Sequence, residues 1–404
     1  MSRPLAIVAI SQVYTPDPAS VGRYLADATS ELVRRGHRVT VYTAARGYDD
    51  PSLRYPAREV IDGVEVRRLP FSWFGKTSIL LRLIGGLSFI AQASFRALFM
   101  RRLDVLLIST TPPVVPLAAL VLRALRRPRL VYWIMDLNPD QLVALGGARP
   151  GSISVRLFNW LNRKTLAAAA SIIVLDRFML ERVNRKVDVS DKAVVIPPWM
   201  HDDKLVAIPR EANSFRTEHV PNERLAIMYS GNHSPANPLD TILEAAAALR
   251  DDPRFTFLFV GGGSRKRDVE RLQLPNVVSL PYQPEERLPE SLSAGDVHVI
   301  TMGDEVVGIV HPSKIYAALA IGRPSLYIGP RESPLADLIR EFRVGWVLEH
   351  GDVDGVVRAL DEAAANPGSL ELIGERARGM ARARLSQALL CSALCDVIDG
   401  SGVQ

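Results

Sequence analysis

The chain holds only two cysteines in 404 residues, Cys391 and Cys395, too few for a disulfide framework. Four positions apart near the C-terminus, they are expected as small core residues on one helix face, in a reducing compartment. None of the seven histidines has cysteines or further histidines at zinc-binding spacing, so no metal site is expected. No G-x-G-x-x-G follows the first apolar run, Leu5–Ile10, which leads into Ser11-Gln12-Val13-Tyr14; a nicotinamide dinucleotide fold has no support. Gly75-Lys76-Thr77 imitates the end of a P-loop, but the glycine needed five positions earlier is Pro70. Long apolar runs are missing as well. Leu5–Ile10 is shorter than the roughly 7–15 residues of a secretory signal core, so export is not expected. Asp304 and Glu305 are adjacent and diverge on any regular element, which excludes a facing carboxylate pair of hydrolase type. Asp352-Val353-Asp354 reads as a helix N-cap rather than a metal motif.

With 48% hydrophobic and 23% charged residues the composition is globular, and the length suits two or three domains at about 150 residues each. Charge is unevenly divided. Residues 1–200 carry 28 Lys and Arg against 15 Asp and Glu, whereas residues 201–404 carry 21 against 29. The halves are therefore expected to meet different partners. Strands are expected at Leu5–Ile10, Arg38–Thr43, Val64–Arg68, Asp104–Ser109, Leu130–Met135, Ser171–Leu175 and Val194–Ile196. A second series follows at Ala226–Ser230, Phe255–Val260, Asn276–Leu280, Val297–Thr301, Ser325–Ile328 and Trp346–Leu348. Amphipathic stretches separate them, the first with Ser20 as N-cap and Gly36 as stop. This order predicts parallel sheets covered on both faces, that is, two Rossmann-like doubly wound α/β domains. The alternation pauses over residues 197–224, which places a boundary there. The expected division is residues 1–197, residues 198–385, and a C-terminal helix in 386–404 returning to the first domain. Ligands of such sheets lie beyond the carboxyl ends of the strands, so two facing sheets make a cleft.

Phe71–Met100 is apolar with aromatic and basic edges: Phe71, Trp73 and Phe74 at one end, Arg101 and Arg102 at the other. Arg82 and Arg96 leave 13 residues between them, fewer than the roughly 20 of a spanning helix. The stretch suits a membrane interface, and equally a helix packed in the first domain. The neighbouring cluster Arg123, Arg126, Arg127 and Arg129 favours an anionic lipid surface. Nucleic acid is not expected, since no known nucleic-acid-binding motif is present.

Phosphate chemistry is concentrated in the acidic half. Strand 226–230 runs into Gly231-Asn232-His233, with Asn237 as expected N-cap and Pro238 at the first helical position. Strand 255–260 runs into Gly261-Gly262-Gly263, with Ser264 as expected cap and Arg265-Lys266-Arg267 in the first helical turn. Cations there oppose the helix dipole, which fits an anionic ligand better than an empty helix start. Gly308-Ile309-Val310-His311-Pro312-Ser313-Lys314 precedes a third helix, with Lys314 expected at its third position. Open backbone donors, a hydroxyl, a lysine and a histidine at one helix start are what a pyrophosphate needs.

These residues resemble the nucleotide-sugar-dependent glycosyltransferases of GT-B fold, family-4-like, of the bacterial surface-polysaccharide (WbuB-like) branch. Pro312-Ser313-Lys314-Ile315-Tyr316 with Ala320-Ile321-Gly322-Arg323-Pro324 is similar to the family's "PSKIYEYMAAGKP". Asp136-Leu137-Asn138-Pro139-Asp140 with Ala144-Leu145-Gly146 is similar to "DLWPE…ALG", and Arg35-Gly36-His37 to its "rGH" element. Where the family has its two motif glutamates this chain has Ile309 and Ala317. Where many members carry Arg and Lys after the first strand of the nucleotide domain, it has Asn232 and Asn237.

The resemblance implies a hexosyltransferase using a nucleotide diphosphate sugar, UDP- ahead of GDP-, retention of configuration, and no obligate metal or cofactor. It implies an acceptor that is a saccharide or a polyprenyl-diphosphate-linked saccharide, met at the inner face of the cell membrane by a peripheral, cytoplasmic enzyme. By position in the motifs, Lys314, Asp136 and His311 would be catalytic. Gly231, Asn232, His233, Gly261, Gly262, Gly263, Arg267, Tyr282, Gln283, Asp304, Glu305, Gly308 and Ser313 would hold the donor. Ser20, Gly22 and Asp140 would line the acceptor side. A sugar-nucleotide 2-epimerase and a non-catalytic partner in a polysaccharide assembly complex are the rival readings.

Overall fold

The computed structural model describes residues 3–48, 50–72, 79–200, 205–221 and 223–402. Trp73, Phe74 and the Gly75-Lys76-Thr77 segment lie outside them. The chain divides into two compact units, one of residues Met1–Pro198, Gly308–Val310 and Ala388–Gln404, the other of Trp199–Val307 and His311–Gln387.

The first unit runs β1 (Ala6–Ile10), α1 (Ser20–Arg34), β2 (Arg38–Ala44), β3 (Arg58–Ile61), β4 (Val64–Leu69), α2 (Ile79–Leu98) and β5 (Val105–Ile108). It continues with α3 (Val115–Arg126), β6 (Arg129–Trp133), α4 (Asp140–Ala144), α5 (Ile153–Ala168), β7 (Ser171–Val174), α6 (Arg177–Lys186) and β8 (Ala193–Val195). The eight strands lie in the order β3-β4-β2-β1-β5-β6-β7-β8. All neighbours are parallel except β3 and β4, an antiparallel hairpin. Its turn is Asp62-Gly63, both with positive φ of 48° and 81°, as a two-residue hairpin loop of matching twist requires. β3 was not among the expected strands. It is a half-exposed edge carrying Arg58 and Glu59, so it lacks the apolar run that marks the buried strands.

The second unit contains α7 (Ser214–His219), β9 (Leu225–Ser230), α8 (Asp240–Ala248), β10 (Phe255–Val260), α9 (Lys266–Arg271), β11 (Val277–Leu280) and α10 (Leu288–Ser293). Then come β12 (Val297–Thr301), α11 (Lys314–Ala320), β13 (Ser325–Ile328), α12 (Pro334–Phe342), β14 (Gly345–Leu348), α13 (Val353–Ala365) and α14 (Pro367–Arg384). α15 (Gln387–Asp399) belongs almost wholly to the first unit. The six strands are all parallel, in the order β11-β10-β9-β12-β13-β14. Alternation along β9 and β10 covers both faces. Ile227, Tyr229, Phe255, Phe257 and Phe259 enter one core, while Ala226, Met228, Leu258 and Val260 enter the other.

The cysteines are where the spacing put them: both buried on α15, unpaired, with Cys395 Sγ 3.4 Å from Ala28 O. Arg35 ties α15 to α1, donating to Asp396 at 2.7 Å and Asp399 at 2.9 Å. Among the described residues no helix is long and apolar enough to cross a membrane. The inner face of α2 packs through Phe89, Ile90, Ala93 and Ala97, all fully buried or nearly so.

Four helix starts differ from expectation. Ser20 is the first helical residue rather than the cap, because Ala19 is extended there and Asp17 accepts its N–H at 3.1 Å. Asn237 closes a turn onto Ser234, 3.0 Å from its hydroxyl, so α8 begins only at Asp240. Ser264 is not a cap, since that place falls to Arg265. Lys314 is the first residue of α11 rather than the third, because Ser313 occupies the cap position. Asp352 does cap its helix, accepting from Gly355 N at 2.9 Å.

Candidate active site

In the second unit β10 and β12 lie on opposite sides of β9, so the strand order reverses there. At such a reversal the loops beyond the carboxyl ends part and leave room for a ligand. The loops after β9, β10 and β11 supply Gly231–His233, Gly261–Gly263 and Tyr282-Gln283.

The first two loops are interlocked. His233 N donates to Gly262 O at 2.7 Å, and Arg265 N to His233 O at 3.0 Å. Gly263 has φ of +132°, and a Cβ on it would stand 2.3 Å from His233 O and 2.4 Å from Asn232 Oδ1. Gly231, at φ +126°, would place a Cβ 2.7 Å from Lys314 Cε. Only glycine fits at either place. The N–H groups of Asn232, Gly262 and Gly263 have no hydrogen-bond partner among the described residues.

Lys314, on the first residue of α11, reaches the first loop. Its Nζ donates to Tyr229 Oη, sits 4.2 Å from the centre of the Tyr229 ring, and lies 3.3 Å from Asn232 O. The residue is half-buried, its ammonium lies against the Tyr229 ring and Asn232 O, and no carboxylate is paired with it among the described residues. Burial pulls it down from 10.5 to about 7. A lysine in that state gains its charge when an anion arrives.

His233 is fully buried, stacked edge-on to Tyr229 with ring centres 5.0 Å apart. Burial, then the nearby Lys266, lower it to about 4. It is therefore neutral at pH 7 and links the two loops through its backbone, so any part it takes in holding the donor is not that of a cation. Arg265 is committed too, to Asp240 at 2.9 Å and Asp268 at 2.6 Å. Lys266 donates to Leu280 O and to Phe259 O at 3.4 Å. These two residues thus belong to structure, and the expectation that the cluster serves an anionic ligand is left to Arg267, which is exposed.

The remaining candidates are dispersed. Tyr282 Oη donates to Gly262 O at 3.3 Å and closes the third loop on the second. Gln283 turns back on Pro281 O at 3.0 Å. His311 is bonded to Tyr316 Oη at 2.6 Å, beside α11. Asp304 and Glu305 are exposed on a single helical turn, and Ser313 is exposed. Gly308 clusters with the first unit. The residue that sequence reasoning missed is Tyr229, the seat of Lys314. Nothing marks it in the sequence except its inward parity on β9.

In the first unit Asp136 follows β6, its N–H donating to Thr110 Oγ1 at 3.2 Å. Burial raises its carboxyl to about 6, with no cation among the described residues offsetting the cost. Asp140 is held by Lys186 Nζ at 2.6 Å, which also donates to Asn159 Oδ1 at 2.7 Å. Gly22 lets α1 pack on the loop after β1, where a Cβ would meet Tyr14 Cα at 3.0 Å. Ser20 is exposed beside it. Arg102 is paired with Asp104 at 2.7 Å, while Arg101 and Phe71 are exposed. Among the described residues no three His, Cys, Asp or Glu side chains are placed to hold a metal ion.

The family description "Glycosyl transferase 4-like domain" matches residues 20–199, and "Glycosyl transferases group 1" matches residues 210–380. The chain is a glycosyltransferase, and it belongs to the family-4-like group of GT-B fold. It is 26% identical over 372 residues to WcaI of Escherichia coli (strain K12), provisionally described as a colanic acid biosynthesis glycosyl transferase. That match covers 88% of this chain and 91% of WcaI. Its fold is similar to sucrose-phosphate synthase from Thermosynechococcus elongatus, with TM-score 0.78, 16% identity, and coverage of 98% and 99%. It is also similar to Anabaena HepE solved with UDP-glucose, with TM-score 0.71, 14% identity, and coverage of 98% and 100%.

Proposed function

We propose that this glycosyltransferase moves a hexosyl group from a UDP-sugar to a lipid-linked saccharide during assembly of a bacterial surface polysaccharide. The observation that carries the reading is the seating of Lys314 against Tyr229 and Asn232, on the loop that interlocks with Gly261–Gly263, with no carboxylate paired to it and the amides of Asn232, Gly262 and Gly263 open among the described residues. The likeness to WcaI, a protein described for colanic acid biosynthesis, supports the polysaccharide setting, and the likeness to HepE, solved with UDP-glucose, supports UDP.

In this reading the bond between the sugar's anomeric carbon and the diphosphate oxygen breaks, and negative charge builds on the departing diphosphate. The Lys314 ammonium and the three amides receive that charge, which is preorganised electrostatic stabilisation. They do so without an obligate metal, and the new bond keeps the donor's anomeric configuration. Asp136 orients the acceptor hydroxyl, and a carboxyl near 6 is also basic enough to take its proton. The enzyme works at the inner face of the cell membrane as a peripheral protein.

A thermal-shift screen with UDP, GDP, ADP and CMP tests the donor assignment. UDP alone raises the melting temperature if the reading holds. Equal responses, or a response to another nucleotide alone, refute it. Transfer that stops in EDTA refutes the metal-independent mechanism.

A further inference from the structure

In the first unit α2 packs against α3 and α3 against α5. Each connects parallel strands in the same direction across the sheet, so right-handed crossovers put all three on one face. Their outer surfaces are apolar. On α5, Ile153, Leu157 and Trp160 form a single stripe, 85%, 54% and 52% exposed. On α3, Leu117, Val121 and Leu125 recur every fourth residue, all exposed. On α2 the exposed stripe includes Ile84, Leu87 and Phe95, and the Phe95 ring lies against exposed Phe99, tilted by 59° with ring centres 5.0 Å apart.

Charge on these three helices is of one sign. The three helices together carry six arginines and a lysine and not one Asp or Glu, in a chain with 44 acids. Basic residues near helix C-termini are ordinary, because the dipole favours them. The same dipole favours acids in the first turn, and all three first turns lack one. Dipole matching therefore does not explain the composition. A second copy of the chain is an ill-suited cover, since it would set cation against cation.

The geometry points to an anionic bilayer as the occupant: the α2–α3–α5 face is the surface on which the enzyme lies, its stripes in the acyl boundary and its cations among lipid phosphates. Interfacial helices bind through this pairing of buried apolar area with attraction to acidic lipid. The inference deepens the proposed use of a lipid-linked acceptor and rests on it. It extends the membrane reading from the 71–102 stretch to α3 and α5, which that stretch does not contain.

Flotation of the full chain with phosphatidylcholine vesicles, with and without about one-third phosphatidylglycerol, tests it. The wild-type protein floats with the acidic vesicles, and raised salt weakens the binding. The triple variant Ile153→Ser, Leu157→Ser, Trp160→Ser loses about tenfold or more in vesicle affinity. Near-UV circular dichroism and the UDP thermal shift confirm that it remains folded. Wild-type flotation that ignores phosphatidylglycerol, or a triple variant that floats unchanged, overturns the inference. So does a wild-type dimer that the variant dissociates. Transfer to a detergent-solubilised polyprenyl-diphosphate saccharide is measured in parallel. Loss of that transfer with vesicle binding intact sinks the acceptor assignment and leaves the surface standing.

Discussion

Replacing Lys314 with Met is the perturbation that separates a ligand-binding lysine from a structural one. In the unliganded protein burial holds the ammonium near 7 instead of 10.5. A diphosphate placed against it favours the charged form and returns the value toward normal. At pH 8 roughly nine-tenths of free molecules then carry a neutral lysine, so UDP binding takes up close to one proton. Above pH 7 the affinity falls by about tenfold per pH unit until the bound-state value is reached. UDP itself adds no proton change there, since its last phosphate ionisation lies near 6. Isothermal titration in buffers of different protonation enthalpy counts the proton directly. Lys314→Met abolishes both the uptake and the pH dependence. The free protein behaves in the opposite sense. Between 7 and 10.5 the unfolded chain binds more protons than the native one, so native stability rises with pH over that window. Below pH 7, where the free protein holds the ammonium charged, Lys314→Met removes that desolvated cation and stabilises the free protein by on the order of 1 kcal/mol. Proton-neutral binding at pH 8, together with equal UDP affinity in Lys314→Met, refutes the reasoning.

Gly263→Ala forces a side chain into left-handed backbone with its Cβ 2.3 Å from His233 O; urea melts should show a loss of about 2–4 kcal/mol, and a change under about 0.5 kcal/mol contradicts the interlock. Asp136→Asn should lower kcat about a hundredfold or more, with KM for the donor little changed, and a retained kcat removes Asp136 from the chemistry. In the wild type, activity that needs the Asp136 carboxylate rises with pH through about 6; the folded value is raised, so the same ionisation costs native stability as pH climbs from 4 to 6, and the Asn variant should lack that slope. Lys186→Met leaves Asp140 without its ion-pair partner and should cost about 1–3 kcal/mol in urea denaturation.

The strands most legible in the sequence are those buried on both faces. β10, with six buried residues of which three are Phe, and β5, all apolar and all buried, stand out at once. β3 escaped because an exposed edge need not be apolar, although Asp62-Gly63 marks its turn. Helix starts slipped by one or two residues, at α8 because Asn237 has a nearer partner in Ser234. Placing Gly231–His233, Gly261–Gly263 and Lys314 together needed only strand order and loop position. Apportioning their charge needed tertiary structure. Arg265 is neutralised by Asp240, 25 positions away, and His233 is made neutral by the core around it. No local pattern carries either fact.

Hydrogen–deuterium exchange of the full chain with and without UDP tests the central claim most directly, because it reads the amides that are said to hold the diphosphate. The account predicts slowed exchange over 231–234, 261–266 and 312–317 when UDP is added. Protection confined to other segments, under saturating nucleotide, would contradict it.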